Sequence, residues 1–259
     1  MKLNDNNYHS VEANQIYFSN SQYKRFLRCE NMALAEIEGN YQRPTTKDLL
    51  IGSYVDAYVS NELDDFKESH PEIISSRGAT KGQLKAEFRS ADDMIERFKR
   101  DNLFMKYLNG DTQTIMTGEI GGVPFRIKVD ILNDEFITDL KTVRDFGPVW
   151  SDSDGKRVSF ISAWGYDIQG AIYQEIVKQN TGKHLPFYIA AITKEFVPDI
   201  KVIQISDELL KERLKEIEYN IGRFSAIKAH LIEPERCERC DYCKTTKTLL
   251  EPELFEGEI

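Results

Sequence analysis

The sequence predicts an α/β fold in which a mixed central sheet is flanked by helices. Hydrophobic residues recur at helical spacing through the N-terminal third. From residue 123 the period drops to two, the signature of a half-buried strand. Helix-period and strand-period segments then alternate as far as residue 230, as they do when helices pack on a sheet. The chain has 259 residues, enough for one sizeable core. Its 41% hydrophobic and 30% charged residues are those of a soluble globular protein. No run approaches the ~20 apolar residues of a membrane span, and MKLNDNNYHSVEANQ lacks the apolar stretch of a signal peptide. A cytoplasmic protein with no membrane partner is expected.

The elements follow in order. Ser21, in the run Ser19-Asn20-Ser21, is the expected N-cap of a helix through QYKRFLRCENMALAEI. LLIGSYVDAYV reads as a second helix, and 81–108 as one long amphipathic helix. Over 123–131 the odd positions are Val, Phe, Ile, Val and Ile, with Arg126, Lys128 and Asp130 between them. Asn133-Asp134 supplies a turn, and FITDLKT returns as the next strand. A helix over 160–178 lines up Ile161, Trp164, Ile168, Ile172 and Ile176 on one face. PFYIAAIT and DIKVIQI are two further strands, and a helix over 207–230 leads into a cysteine cluster. With no internal repeat and no Gly/Ser-rich linker, the chain reads as one domain, 1–259. Its parts are a helical region (1–80), a core (81–206), a C-terminal helix with the cysteines (207–248) and an acidic tail (249–259).

Asp130, Asp139 and Lys141 carry the chemical signal. Residues two apart on a strand share a face, so Asp139 and Lys141 point together while Leu140 points into the core. A turn between Asp134 and Glu135 sets Asp130 directly across from Asp139, with Cβ atoms ~4.5–5.5 Å apart. Like charges so placed repel unless a cation offsets them, and hard oxygen ligands suit Mg²⁺ or Mn²⁺, as one ion or two. Such ions polarise phosphoryl oxygens and acidify water, and Lys141 can orient or deprotonate that water, or stabilise charge on a phosphate. Taken alone, the spacing is short and common, and three solvated residues on a hairpin would account for it equally well.

The motifs around it resemble the PD-(D/E)xK nuclease superfamily, in which an acid on one strand precedes an acid-x-Lys on the next. Here they stand as KVD and TDLKT. Recombination nucleases of the RecB and lambda-exonuclease type add a Gln-x3-Tyr on the following helix, matched by Gln169 and Tyr173 within WGYDIQGAIYQE. Gly165 and Gly170 in that segment each cost a helix interior ~1 kcal/mol relative to Ala, which close approach of sheet or DNA would explain. RecB-type nucleases also carry a Gly-x3-His whose His binds metal. The corresponding residues are Gly52 and Asp56, and Asp is an equally reasonable magnesium ligand. The resemblance thus implies catalysis by Asp130, Asp139, Lys141, Gln169 and Tyr173. It implies a metal held by Asp56, Asp130, Asp139 and the Leu140 backbone carbonyl, with Glu119 as a further acid.

Four cysteines occur, Cys29, Cys237, Cys240 and Cys243, and clustered cysteines in a cytosolic chain argue for metal or redox chemistry. The Cys-x2-Cys-x2-Cys run matches the first three ligands of a bacterial ferredoxin motif, leaving Cys29 as the fourth. Zinc, which commonly uses separated Cys-x2-Cys pairs, is the alternative, and free thiols the third reading. SNSQYKRFLRCE resembles the N-terminal helix of iron–sulfur nucleases related to RecB and to the CRISPR-adaptation group. That likeness implies a [4Fe–4S] cluster, although the last spacing in those proteins is longer.

The sequence as a whole resembles phage-encoded, RecE-like (exodeoxyribonuclease VIII-like) proteins. It implies a Mg²⁺-dependent exonuclease that degrades one strand of linear double-stranded DNA 5′-to-3′. It further implies a single-strand annealing partner, a ring-shaped homo-oligomer and a bacterial host cytoplasm. Two other readings remain: an end-trimming or endonucleolytic enzyme of the CRISPR-adaptation kind, and a non-catalytic metal-cluster module that binds DNA. The net charge of −9 argues against a broad basic footprint, though a groove needs only local positive charge. Lys24, Arg25, Arg28 and Arg144 are expected to lie on solvated faces. Four glutamates in the tail account for part of the imbalance, leaving −5 without them, and the tail either binds the annealing partner or stays disordered.

Overall fold

Side-chain caps set most helix starts. Ser10, Ser19, Thr46, Asp101, Ser159 and Ser206 each accept a backbone N–H of the helix that follows. The computed structural model describes all residues except 45, 152–154, 253, 255–256 and 258–259. Its N-terminal helices are α1 (Val11–Ile16), α2 (Asn20–Arg28), α3 (Glu30–Ile37), α4 (Lys47–Val59), α5 (Leu63–Ser69), α6 (Ala86–Phe98) and α7 (Asn102–Tyr107). Strands β1 (Asp111–Ile120), β2 (Val123–Leu132), β3 (Ile137–Val143), β4 (Val149–Ser151) and β5 (Lys156–Val158) follow. Then come α8 (Phe160–Ala163), α9 (Tyr166–Thr181), β6 (Phe187–Thr193), β7 (Ile200–Ile205), α10 (Asp207–Lys228) and α11 (Asp241–Thr245).

The five-stranded sheet has the order β1-β2-β3-β6-β7 and is antiparallel except for β3 and β6, which run parallel. A parallel neighbour requires a crossover, and α8 and α9 supply it. The mixed sheet flanked by helices is the predicted fold class. On one face Phe125, Ile127 and Val129 pack with residues of α2, α3, α9 and α10. On the other, Ile131, Leu140, Ala190 and Ile192 pack with residues of α4, α6 and α7. Among the described residues no helix is long and apolar enough to cross a membrane.

Several boundaries differ from expectation, each for a local reason. Ser19, not Ser21, caps α2, its side chain accepting from Gln22 N. The expected first helix breaks at Cys29, whose extended backbone (φ −167°, ψ 111°) makes it the end of α2 and the cap of α3. The long helix over 81–108 is two helices, the second capped by Asp101. The helix over 160–178 divides at Gly165, which adopts φ +62° and stands outside both halves. Trp164, expected on the apolar stripe, is therefore 56% exposed. Gly170 does mark a close approach: a Cβ there would lie 2.7 Å from the Phe187 ring and 2.9 Å from Leu210.

β1 is an edge strand whose polar sequence, DTQTIMTGEI, gave no period-two signal. On β2, Arg126 is buried rather than solvated. Tyr8 covers it, with the guanidinium carbon 4.8 Å from the ring centre, and Asn14 accepts from Nη2. Phe18 joins the free edge of β2 by donating its N–H to Pro124 O and accepting from Arg126 N, both at 2.8 Å. Of the acidic tail, residues 253, 255–256 and 258–259 lie outside the described residues.

Candidate active site

β2 and β3 pair only at Ile131–Thr138 and Leu132–Ile137. Continued by one residue, this register sets Asp130 across from Asp139, as the turn position predicted. Asp130 Oδ2 accepts from Leu140 N at 3.0 Å, bridging the point where the strands part. Asp139 is fully buried. Its Oδ1 accepts from Gln169 Nε2 at 2.5 Å, while Oδ2 lies 2.6 Å from Lys141 Nζ and accepts no well-aligned hydrogen bond. Gln169 and Tyr173, one turn apart on α9, reach both strands. The Tyr173 hydroxyl donates to Lys128 O at 3.0 Å.

Asp56 enters from α4, and Gly52, one turn earlier, allows that approach. A Cβ on Gly52 would lie 3.1 Å from Thr142 Oγ1, inside the usual contact distance. Across the β1–β2 ladder, Gln113 sits between the pairs Thr112–Ile131 and Thr114–Val129 and so faces Asp130. Its φ of +53° is the left-handed region, where a non-glycine residue costs roughly 1–3 kcal/mol and which gathers at functional sites.

Three carboxylates around one ammonium leave the centre short of positive charge. Burial pushes Asp130 well above the usual carboxylate range, and Asp139 and Asp56 push it further, against Lys141. Burial likewise raises Asp56 to about 7, with Lys141 opposing and Asp139 adding. Burial alone would lower Lys141, but Asp139, Asp130 and Asp56 outweigh it, so the amine is held protonated. A cleft of about 540 Å³ opens here, bounded by α4, the Leu140–Lys141–Thr142 stretch, Trp164, Tyr166 and Lys194.

Two assignments change. Glu119 pairs with Pro124 at the far end of the β1–β2 hairpin, six residues along β2 from Asp130, or about 20 Å at strand spacing. It is exposed, and its backbone is engaged by Gln179. Proximity to the hairpin in sequence does not carry it to the acids. Lys24, expected on a solvated face, is half-buried beside them. Its Nζ donates to Trp164 O at 3.0 Å and lies 5.9 Å from the Tyr166 ring centre, while Lys141 Nζ is 5.5 Å from the same ring. Burial, then Lys141, lowers Lys24 to about 8 against the pull of Asp139 and Asp167. Gly165 makes room for it, since a Cβ there would lie 2.8 Å from Lys24 Cδ. Arg144 does lie at the surface, paired with Asp145 at 2.7 Å.

The four cysteines meet elsewhere. Cys29, between α2 and α3, joins Cys237, Cys240 and Cys243, and all four sulfurs lie within 4.8 Å of one another. Among the described residues no other set of three or more Cys, His or acidic ligand atoms is drawn so close, so the three carboxylates are more widely spread.

Residues 19–246 match a family described as a PDDEXK-like domain of unknown function (DUF3799). A solved structure from Eubacterium rectale, described as “Putative exonuclease”, is 42% identical, with 98% of this chain and 97% of that chain covered and a TM-score of 0.91. The structure of SSO0001, 15% identical over 86% of this chain and 91% of that one, overlays with a TM-score of only 0.30. A search of curated proteins found no match.

Proposed function

The chain belongs to the family of PDDEXK-like domains, and from that premise we propose that it is a divalent-metal-dependent DNA nuclease. The observation that carries the reading is the convergence of Asp56, Asp130 and Asp139 on Lys141 where β2 and β3 part. The donor set fits a hard cation. Asp139 Oδ2 is buried without an aligned hydrogen bond, and the acids raise one another's affinity for protons, which is the electrostatic demand that a cation satisfies. Asp56, Asp130, Asp139 and the Leu140 carbonyl would hold it. Bound there, Mg²⁺ or Mn²⁺ would polarise a phosphoryl oxygen and acidify the attacking water.

The chain's own groups do the rest. Lys141 acts as a donor rather than a base, because the acids keep its amine protonated. It aligns the water or the scissile phosphate and offsets charge that builds on the phosphate. Gln169 fixes the Asp139 carboxylate through Oδ1, leaving Oδ2 toward Lys141. Tyr173 holds the β2 backbone near the split. Lys24 adds a second positive charge, and exposed Trp164 at the cleft wall offers a face on which a base can stack.

The likeness to the Eubacterium rectale protein supports an exonuclease. Resemblance to RecE-like enzymes supports 5′-to-3′ digestion of linear duplex DNA, release of 3′ overhangs, a single-strand annealing partner, a ring-shaped assembly and a recombination role. The test is digestion of linear duplex DNA labelled separately at each end, alongside closed circles, with Mg²⁺ and with EDTA. Expected are loss of the 5′ label first, intact circles and no reaction in EDTA. Cleaved circles would point to an endonuclease, and digestion in EDTA would overturn metal dependence.

A further inference from the structure

The cysteine site is the wrong size for the cluster its sequence resembles. Cys29 Sγ lies 3.5 Å from Cys243 Sγ and 3.8 Å from Cys240 Sγ, and Cys237 and Cys243 are 4.0 Å apart. Every pair is within 4.8 Å. Four thiolates sharing one tetrahedral zinc at about 2.3 Å each stand about 3.8 Å apart. In a four-iron cluster each thiolate binds its own iron, and the irons and sulfides fill the space between the sulfurs. Sulfurs nearly in contact leave no such space. We propose that Cys29, Cys237, Cys240 and Cys243 hold a single structural zinc ion.

The surroundings suit thiolates. Backbone N–H groups of Met32, Cys240 and Cys243 donate to the sulfurs of Cys29, Cys237 and Cys240, at 3.5, 3.3 and 3.4 Å. Four thiolates on one Zn²⁺ leave two negative charges, and the Arg236 guanidinium beside them, bonded to Cys243 O at 2.6 Å, offsets part of that. Cys29 and Cys243 are buried and all four positions are protein ligands, so the ion has no open site for a substrate. The role is therefore mechanical. The ion ties the α2–α3 junction to α11 and to the loop that leads into it. Beside it, Glu30 binds Arg223 at 2.7 and 2.8 Å and accepts from Glu235 N at 2.7 Å, pinning the same loop a second time. Because Lys24, on α2, donates to the carbonyl of Trp164, which lines the cleft, the zinc also steadies that wall.

Protein purified without oxygen from cells supplied with both iron and zinc should carry one zinc per chain and no labile sulfide. Cys29→Ser should lose that zinc, Asp139→Asn should keep it, and Cys29→Ser should melt roughly 5 °C or more lower. Exchange of the wild-type ion for Co²⁺ should produce the visible bands of a tetrahedral four-thiolate site, a readout that stands even if the serine variant fails to fold. Four irons with four sulfides, a single iron, no tightly held metal, or zinc retained by Cys29→Ser would each overturn the proposal. All of these readouts are independent of nuclease activity.

Discussion

The molecule has two places built to meet a cation, and they are built in opposite ways. Beside the cleft, three carboxylates of unequal burial stand apart around Lys141, with Asp56 lining the open space of about 540 Å³. At the cysteines, four like ligands are drawn together with backbone donors behind them, leaving no coordination position to spare. The first arrangement keeps charges unsatisfied in the free protein and leaves room for something to enter. The second can be satisfied completely by one ion. Burial of unbalanced charge is the mark of a site that works, and saturation the mark of one that holds.

The sharpest way to break this contrast is Asp130→Asn. It should cut nuclease activity by at least about 10²-fold, yet raise the melting temperature in EDTA, since it removes a carboxylate that its neighbours oppose. A variant that loses both activity and stability would make the cleft as structural as the cysteines. Cys29→Ser should do the reverse, losing several degrees of thermal stability while retaining measurable cleavage at low temperature.

Lys24→Ala should lower activity about 10-fold. Since Lys24 sits near a pKa of about 8, its charge is lost as pH rises through that value, and DNA affinity should fall with it. Lys24→Arg should remove this pH dependence; an unchanged profile would take Lys24 out of the DNA-binding surface. Asp56 has a folded pKa of about 7 against an ordinary 3.8. The stability this raised value confers is complete below the ordinary pKa and is lost as pH rises through about 7. Melting in EDTA across that window should therefore show a decline that Mg²⁺ reduces and Asp56→Asn abolishes. The smallest effect is reserved for Glu119→Ala, expected to match wild type in rate and melting. A large loss of activity there would mean that the catalytic centre extends along the whole hairpin.

What the sequence disclosed follows from the range of each interaction. Period-two alternation and the Asn133-Asp134 turn fix the register, so the position of Asp130 across from Asp139, one step beyond the last strand pair, could be read directly. Gln169, Tyr173 and Asp56 came from the resemblance to RecB-type motifs rather than from periodicity, and the fold brings them to the same strands and lysine. Lys24 was not legible, because only tertiary packing brings α2 to Trp164 and Tyr166. The break at Cys29 was hidden for a related reason: QYKRFLRCENMALAEI has helical character throughout, and extended backbone there lets one thiol turn toward three others far along the chain. Glu119 was misjudged by nearness in sequence, which a hairpin of ten-residue strands turns into distance.

Parting β2 from β3 to make the cleft also exposes a raw strand edge in the middle of the sheet. Phe18 closes it with two backbone hydrogen bonds, serving as a one-residue plug. An unpaired edge is a template on which another molecule can add its own strand. The N-terminal segment thus occupies a strand-addition template as well as covering Arg126. Shortening the chain past Phe18, or fusing a bulky tag close before it, should turn a well-behaved preparation into one that aggregates through the uncovered edge.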